Sequence, residues 1–95
     1  MYNFRTWIKY EKEDIIIKEF EEMLKESGFT IIEKTEHFFE IQGYTGLWLL
    51  AESHFAVHTF PENDKIYIEI SSCVKKYFDE FVSKFENKYK KREPK

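Results

Sequence analysis

The pattern of hydrophobic and polar positions predicts two amphipathic helices. The first covers residues 12–27, and its apolar stripe consists of Ile16, Phe20, Met23 and Leu24. The second covers residues 74–90, with a stripe of Val74, Tyr77, Phe78, Phe81, Val82, Phe85 and Tyr89. Lysine and glutamate dominate the opposite sides, so each helix is expected to bury one face against another layer.

Apolar and polar residues alternate in the remaining segments, which favours strands. Strands are predicted over residues 3–10, 29–41, 46–51, 54–60 and 65–72, and the long second strand is expected to carry Phe29, Ile31, Phe39 and Ile41 on one face. Gln42–Gly46 and Pro61–Asp64 have the composition of turns. The order β-α-β-β-β-β-α predicts one α+β domain over residues 1–95, a two-layer sandwich whose antiparallel sheet carries both helices on one face.

The third predicted strand is apolar on both faces. Trp48 and Leu50 alternate with Leu47 and Leu49, and two helices can cover only one side of the sheet. A second copy of the chain is the simplest cover for the other side. The sequence therefore predicts a homodimer.

Composition limits the possible partners. The formal net charge of -3 argues against a nucleic-acid surface, which usually shows a basic excess. The single cysteine, Cys73, excludes an internal disulfide and fits a reducing compartment. The first residues lack the apolar core of a signal peptide, and the longest apolar run, Leu47–Ala51, is too short to span a bilayer. A cytoplasmic protein without a membrane partner is expected.

The candidate chemistry lies between residues 52 and 73. Glu52–Glu62 reads ESHFAVHTFPE, and Cys73 follows Ser53 at an offset of 20. This arrangement resembles the signature of the bacterial and archaeal pyruvoyl-dependent S-adenosylmethionine decarboxylases, an ESH tripeptide followed by an IHTWPE-like block and a cysteine. Upstream, His37–Phe39 and Gly43–Gly46 are similar to the family's HxF and GVSG blocks. Several blocks at fixed spacing, over roughly residues 13–75, form a specific signal.

The resemblance implies that the enzyme makes its own cofactor. Ser53 would attack the carbonyl group of Glu52 and convert the peptide bond into an ester. Loss of the serine α-proton and hydrolysis would then separate a β chain, 1–52, from an α chain, 53–95, that begins with a pyruvoyl group. The pyruvoyl carbonyl would form a Schiff base with the substrate and accept electrons as carbon dioxide leaves, with no metal required. The product, decarboxylated S-adenosylmethionine, would serve spermidine synthesis.

The same resemblance implies roles for individual side chains. His58 would be the base that removes the α-proton during processing, and Thr45 a hydroxyl that assists processing. Cys73 would return a proton to the substrate after decarboxylation. Phe39 corresponds to the ring that stacks on adenine, and Glu62 to the carboxylate that binds the ribose hydroxyls.

Several positions depart from the family pattern. Thr45, Phe60 and Val74 stand where the family usually has serine, tryptophan and glycine, and the family's N-terminal glycine and histidine are not recognisable. Two alternatives therefore stay open: a pyruvoyl-dependent decarboxylase of arginine or ornithine, and a non-processing homologue that binds a nucleoside or a partner subunit. Taken alone, Ser53 would be a turn residue and Cys73 a small buried hydrophobe. Their joint spacing favours the catalytic interpretation.

The other histidines carry no predicted chemistry. His54 and His58 would stand roughly 13 Å apart on one strand, too far to share a metal ion. His37 is interpreted as a structural histidine.

Strand register gives a geometric test of the site. Short connections favour a meander, with paired residue numbers summing to about 105 around the turn near 52–53 and to about 125 around the turn near 62–63. The predicted neighbours are Ser53 with Ser72 and Cys73, Leu47 with His58, and Thr45 with residue 60. Five residues of extended strand separate Ser53 from His58 by roughly 16 Å, too far for proton transfer. An antiparallel two-fold dimer with composite active sites is therefore expected.

Overall fold

The computed structural model describes residues 1–89 and confirms the predicted order of elements and the α+β class. The strands are β1 (Tyr2–Lys9), β2 (Ile31–Phe38), β3 (Tyr44–Leu50), β4 (Ser53–Phe60) and β5 (Lys65–Ser72). The helices are α1 (Glu13–Glu26) and α2 (Lys75–Tyr89), and a 3₁₀ turn, Pro61–Asn63, connects β4 to β5. Residues 90–95, including the predicted last residue of the second helix, lie outside the described part of the chain.

The five strands form one antiparallel sheet in the order β1-β5-β4-β3-β2. Both helices lie on one face, as predicted. The ring of Phe55 on β4 shows this directly, because it contacts Phe20 of α1 at 5.5 Å and Phe81 of α2 at 5.4 Å between ring centroids. Neither helix has the length and apolar character needed to cross a membrane within residues 1–89.

The hydrophobic core fills the space between the helices and this face of the sheet. Every second residue of the central strands points into it, as strand geometry requires. Its largest fully buried side chains are Trp48, Tyr44, Tyr89, Phe20, Phe55, Phe81, Ile8, Ile16, Leu24, Leu50, Ile66 and Ile68.

The opposite face of the sheet, called the open face below, has no covering layer within the described residues. Leu47 is 50% exposed and Leu49 is 49% exposed on β3, and Trp7 of β1 is also exposed. This agrees with the predicted division of β3 into a buried and an uncovered apolar side. The partner chain that would cover the open face stays a prediction.

The predicted long strand 29–41 was wrong at both ends. Phe29 precedes β2 and is buried, whereas Phe39 and Ile41 follow it in a loop and Ile41 is 94% exposed. A register shift between Ile31 and Glu33 also breaks the alternation, so the four predicted residues do not share one face. The reversal occurs at Gly43, whose φ of 105° is accessible mainly to glycine.

The register of the first hairpin was also wrong, by two residues. Thr45 pairs with His58, not with residue 60, and Leu47 pairs with Ala56, not with His58. The hairpin turns at residues 51–52, between Leu50 and Ser53, one residue earlier than expected. The second hairpin has the predicted register, with Ser53 opposite Ser72.

Candidate functional site

Ser53 begins β4 at the end of the sheet where β3 turns back. The turn consists of only two residues, Ala51 and Glu52, because Leu50 already pairs with Ser53. Such a tight connection requires a left-handed residue, and Glu52 adopts φ 59°. A non-glycine residue in this conformation costs on the order of 1 kcal/mol or more. The peptide that the sequence marks for cleavage therefore follows a residue with an unfavourable backbone conformation.

The hydroxyl of Ser53 and the carbonyl of Glu52 are both held by the end of β5. Ser53 is 6% exposed, and its hydroxyl donates a hydrogen bond to the Ser72 hydroxyl oxygen at 2.7 Å. The backbone N–H of Cys73 donates to the carbonyl oxygen of Glu52 at 3.3 Å. A backbone N–H in this position stabilises negative charge on the carbonyl oxygen when a nucleophile adds to its carbon.

Cys73 lies at the same end of the sheet as Ser53, as the second-hairpin register predicted. It occupies the bend between β5 and α2, and its thiol is free and exposed. This exposure contradicts the interpretation of Cys73 as a small buried hydrophobe. The side chain is accessible to a bound small molecule.

Thr45 and His58 form a directly hydrogen-bonded pair on the open face. They lie opposite each other on β3 and β4, and Thr45 Oγ1 is 3.0 Å from His58 Nδ1. The ring of Tyr67 on β5 lies beside the imidazole, with 6.1 Å between ring centroids and 30° between the ring planes. The threonine hydroxyl therefore fixes the orientation of the imidazole and directs the other ring nitrogen away from β3.

The helix side of β3 is closely packed around Gly46. The side chains of Tyr44 and Trp48 close over Gly46, where a Cβ would overlap the Tyr44 hydroxyl and lie 2.7 Å from the Trp48 ring. The Tyr44 hydroxyl donates to the Glu36 carboxylate at 2.6 Å, and Trp48 Nε1 donates to Glu21 at 2.8 Å. Burial, together with Glu36, raises the pKa of Tyr44 well above its usual range. Tyr44 therefore stays protonated and remains a donor.

The two predicted substrate-binding residues lie at the Thr45–His58 end of the sheet. Phe39 is 51% exposed and lines a cavity of about 270 Å³ with Tyr10, Glu13, Phe38, Gln42, Gly43 and Pro61. Glu62 is exposed and directly follows Pro61 in the 3₁₀ turn after β4. One aromatic ring and one carboxylate are thus available beside the end of β4.

The seven predicted site residues form two groups at opposite ends of the sheet. Ser53, Glu52 and Cys73 lie at one end, and the group of Thr45, His58, Phe39 and Glu62 lies at the other. Five residues of β4 separate Ser53 from His58, a distance of roughly 16 Å. Their side chains also point to opposite faces, since Ser53 is on the helix side and His58 on the open face. A single chain does not assemble all seven residues into one site.

The family model of S-adenosylmethionine decarboxylase matches residues 7–93 of the sequence. The chain belongs to the S-adenosylmethionine decarboxylase family. The S-adenosylmethionine decarboxylase proenzyme of Archaeoglobus fulgidus is 33% identical over 79 residues, which cover 78% of this chain and 70% of that protein. The proenzyme of Prochlorococcus marinus is 47% identical over 49 residues, covering 52% of this chain. That match spans only 39% of the length of the Prochlorococcus protein.

A solved structure shares the fold of this family member. The crystal structure of the adenosylmethionine decarboxylase from Aquifex aeolicus VF5 superposes with a TM-score of 0.71 at 20% sequence identity. The match covers 93% of this chain and 78% of that chain. The arrangement of sheet and helices is therefore that of a decarboxylase of known structure.

Four features of the site were not anticipated from the sequence. These are the left-handed conformation of Glu52, the Cys73 N–H bond to the Glu52 carbonyl, the Thr45–His58 hydrogen bond and the Ser53–Ser72 hydrogen bond. The predicted register already placed Ser72 opposite Ser53, so the last of these had a signal in the sequence. Within residues 1–89, no group of three or more histidine, cysteine, aspartate or glutamate side chains is arranged to hold a metal ion.

Proposed function

We propose that this chain is a proenzyme that cleaves itself between Glu52 and Ser53 and then decarboxylates S-adenosylmethionine. The cleavage would give a β chain of residues 1–52 and an α chain of residues 53–95 headed by a pyruvoyl group. Family membership and the proenzyme names of its relatives support this reading. Decarboxylated S-adenosylmethionine would be the product, made in the cytoplasm for spermidine synthesis.

The geometry around the Glu52 carbonyl is the observation that carries the proposal. The hydroxyl that must attack is held at 2.7 Å by Ser72, and the oxygen that must gain charge accepts the Cys73 N–H at 3.3 Å. The left-handed backbone of Glu52 is relieved when the peptide bond after it breaks. An ordinary hairpin does not require the hydroxyl contact, the carbonyl contact and the left-handed residue before the serine to occur together.

The base that this proposal assigns to self-cleavage, His58, does not lie at this end of the same chain. The proton to be removed is on the α-carbon of Ser53. The Ser53 hydroxyl itself faces the helices. His58 is on the open face, but roughly 16 Å away along β4. The partner subunit of a two-fold dimer supplies the missing base in this proposal.

The exposed apolar open face supports such a dimer. Packing two open faces in antiparallel orientation would bury Leu47 and Leu49 and bring the two ends of the sheets together. Each of two composite sites would then contain Ser53 and Cys73 from one chain. The other chain would contribute Thr45, His58, Phe39 and Glu62.

Different groups of the proposed site have different roles toward the substrate. The pyruvoyl group supplies an electron-accepting carbonyl for decarboxylation. Cys73, exposed beside it, returns a proton to the substrate carbon. Phe39 offers a half-exposed ring for stacking against adenine, and Glu62 offers an exposed carboxylate for the ribose hydroxyls. These last two contacts select a nucleoside and would be unused by arginine or ornithine.

Release of carbon dioxide from a panel of substrates tests the proposal. Purified protein is incubated with carboxyl-labelled S-adenosylmethionine, arginine and ornithine, with the Ser53→Ala variant as the matched control. Release is expected from S-adenosylmethionine only, and only with the wild type. Release from arginine or ornithine instead would overturn the substrate assignment, and release by Ser53→Ala would overturn the chemistry.

A further inference from the structure

Ser72 is the last residue of β5, is fully buried and lies directly opposite Ser53. Its hydroxyl oxygen accepts two hydrogen bonds, from the Ser53 hydroxyl at 2.7 Å and from the Val74 N–H at 2.9 Å. Its own proton is directed at the Val74 carbonyl oxygen at 3.4 Å. Every hydrogen-bonding position of this hydroxyl is therefore engaged by Ser53 or by the start of α2.

We propose that Ser72 is a positioning residue for self-cleavage, whose hydroxyl oxygen holds the Ser53 hydroxyl in the rotamer from which it attacks the Glu52 carbonyl. An isolated serine populates several χ1 rotamers, and its hydroxyl hydrogen rotates freely. A buried acceptor at 2.7 Å selects one rotamer and one direction for the hydrogen. The Val74 N–H in turn fixes the position of that acceptor.

The reaction shows why this restraint matters. The Ser53 oxygen forms a bond to the Glu52 carbonyl carbon, the bond from that carbon to the Ser53 nitrogen breaks, and the hydroxyl proton ends on that nitrogen. The product is an ester and a free amine, so atoms and charge balance. The ring formed during attack has five members, which requires the oxygen to sit over the carbonyl carbon. Ser72 takes no proton in this step and acts only through Ser53.

Consecutive residues thus hold the two reacting groups. Ser72 binds the hydroxyl through its side chain, and Cys73 binds the carbonyl oxygen through its backbone. The neighbouring Ser71 provides an internal comparison, because its hydroxyl points to the other face and donates to Asn3. A hydroxyl group on β5 is therefore not sufficient to hold the Ser53 hydroxyl. It must also lie at the position opposite Ser53.

The test measures ester formation separately from chain cleavage, and it rests on the proposed function. In a His58→Ala background the reaction is expected to stop at the ester, which hydroxylamine then cleaves. The Ser72→Thr variant keeps the hydroxyl group. The Ser72→Val variant has a side chain of the same shape as threonine but has no hydroxyl group. The threonine form should accumulate hydroxylamine-sensitive ester within about threefold of the parent rate, and the valine form about tenfold more slowly than threonine.

Equal rates for the valine and threonine forms would overturn the role of Ser72. Ser71→Ala in the same background is expected to leave the rate unchanged. Ser72→Ala replaces the valine form in the same comparison if thermal unfolding shows that valine does not fit. Absence of both ester and fragments in the His58→Ala and wild-type proteins would instead refute the proposed function, so the two failures are distinguishable.

Discussion

A Ser53→Ala chain should restore self-cleavage of a His58→Ala chain if the active site is composite. Ser53→Ala removes the nucleophile and His58→Ala removes the base, so neither chain fragments alone. In a mixed dimer, the intact Ser53 of one chain meets the intact His58 of the other. Random pairing of equal amounts makes about half of the dimers mixed. About half of the His58→Ala chains should therefore be cleaved, and none of the Ser53→Ala chains.

The separation within one chain makes this result specific. Ser53 and His58 are five residues apart on β4, roughly 16 Å, while proton transfer needs heavy atoms about 3 Å apart. The assay is co-expression of the two variants with different tags, followed by intact-mass measurement of each chain. No fragmentation of either chain in a mixture that contains mixed dimers would refute the composite site.

A dominant-negative control uses the double variant Ser53→Ala, His58→Ala mixed with wild type. Each wild-type chain paired with the double variant lacks a base for its own Ser53. About half of the wild-type chains should then remain whole at equal amounts. Complete cleavage of the wild-type chains would mean that Ser53 finds its base within its own chain.

Three further changes have defined outcomes. Cys73→Ala should leave self-cleavage intact and lower carbon dioxide release by a factor of about 10² or more, the usual contribution of an acid catalyst, as read by mass and by labelled substrate; normal turnover would exclude its role as the proton donor. Gly46→Ala should destabilise the fold by about 1–3 kcal/mol in urea titrations, since the methyl group overlaps Tyr44 and Trp48; an unchanged midpoint would contradict this packing. Glu21→Gln should cost stability at pH 7 and progressively less below pH 4.5.

The sign of the Glu21 effect follows from its partners. Burial of the carboxylate opposes ionisation, but hydrogen bonds from Lys34 and Trp48, each at 2.8 Å, outweigh it and lower the pKa of Glu21 below its usual 4.5. A lowered folded-state pKa gives stability that is present above the unfolded value and is lost as the pH falls through the folded value. Urea unfolding of both proteins across this range measures it. A constant difference between them at all pH values would contradict the assignment.

The register of the second hairpin could be predicted from the sequence alone. A short polar connection around residues 62–63 fixed the pairing sum at 125, and Ser53 does lie opposite Ser72 with Cys73 next to it. The periodicity of the helices was equally clear, since Phe20, Phe81 and Phe85 all lie in the core. For this hairpin and the two helices, the prediction was confirmed.

The predicted register of the first hairpin was wrong for a physical reason. A two-residue turn usually shows Asn-Gly or Asp-Gly, and here Ala51 and Glu52 occupy it, with Glu52 forced to φ 59°. Nothing in the residue types signals that conformation. The shift of two residues brought Thr45 opposite His58 and revealed their hydrogen bond, which the predicted register had missed.

The prediction of a strand over residues 29–41 was wrong at its C-terminal end because apolar residues there were assumed to be buried. Phe39 and Ile41 continue the apolar alternation of β2, yet both are exposed in the loop that ends at Gly43. The stacking role of Phe39 stays a prediction. The dimer and the roles of the individual site residues depend on a second chain and on chemistry, so they stay predictions.

The central claim is that Ser53 cleaves its own chain, and the intact mass of freshly purified wild-type protein tests it most directly. Two fragments are expected, one ending at Glu52 and one beginning at residue 53, with a keto group on the second fragment that borohydride reduces. Ser53→Ala should remain a single species. A wild-type protein that stays whole at 11.7 kDa under the same conditions, with no reducible keto group, would show that Ser53 does not cleave its chain.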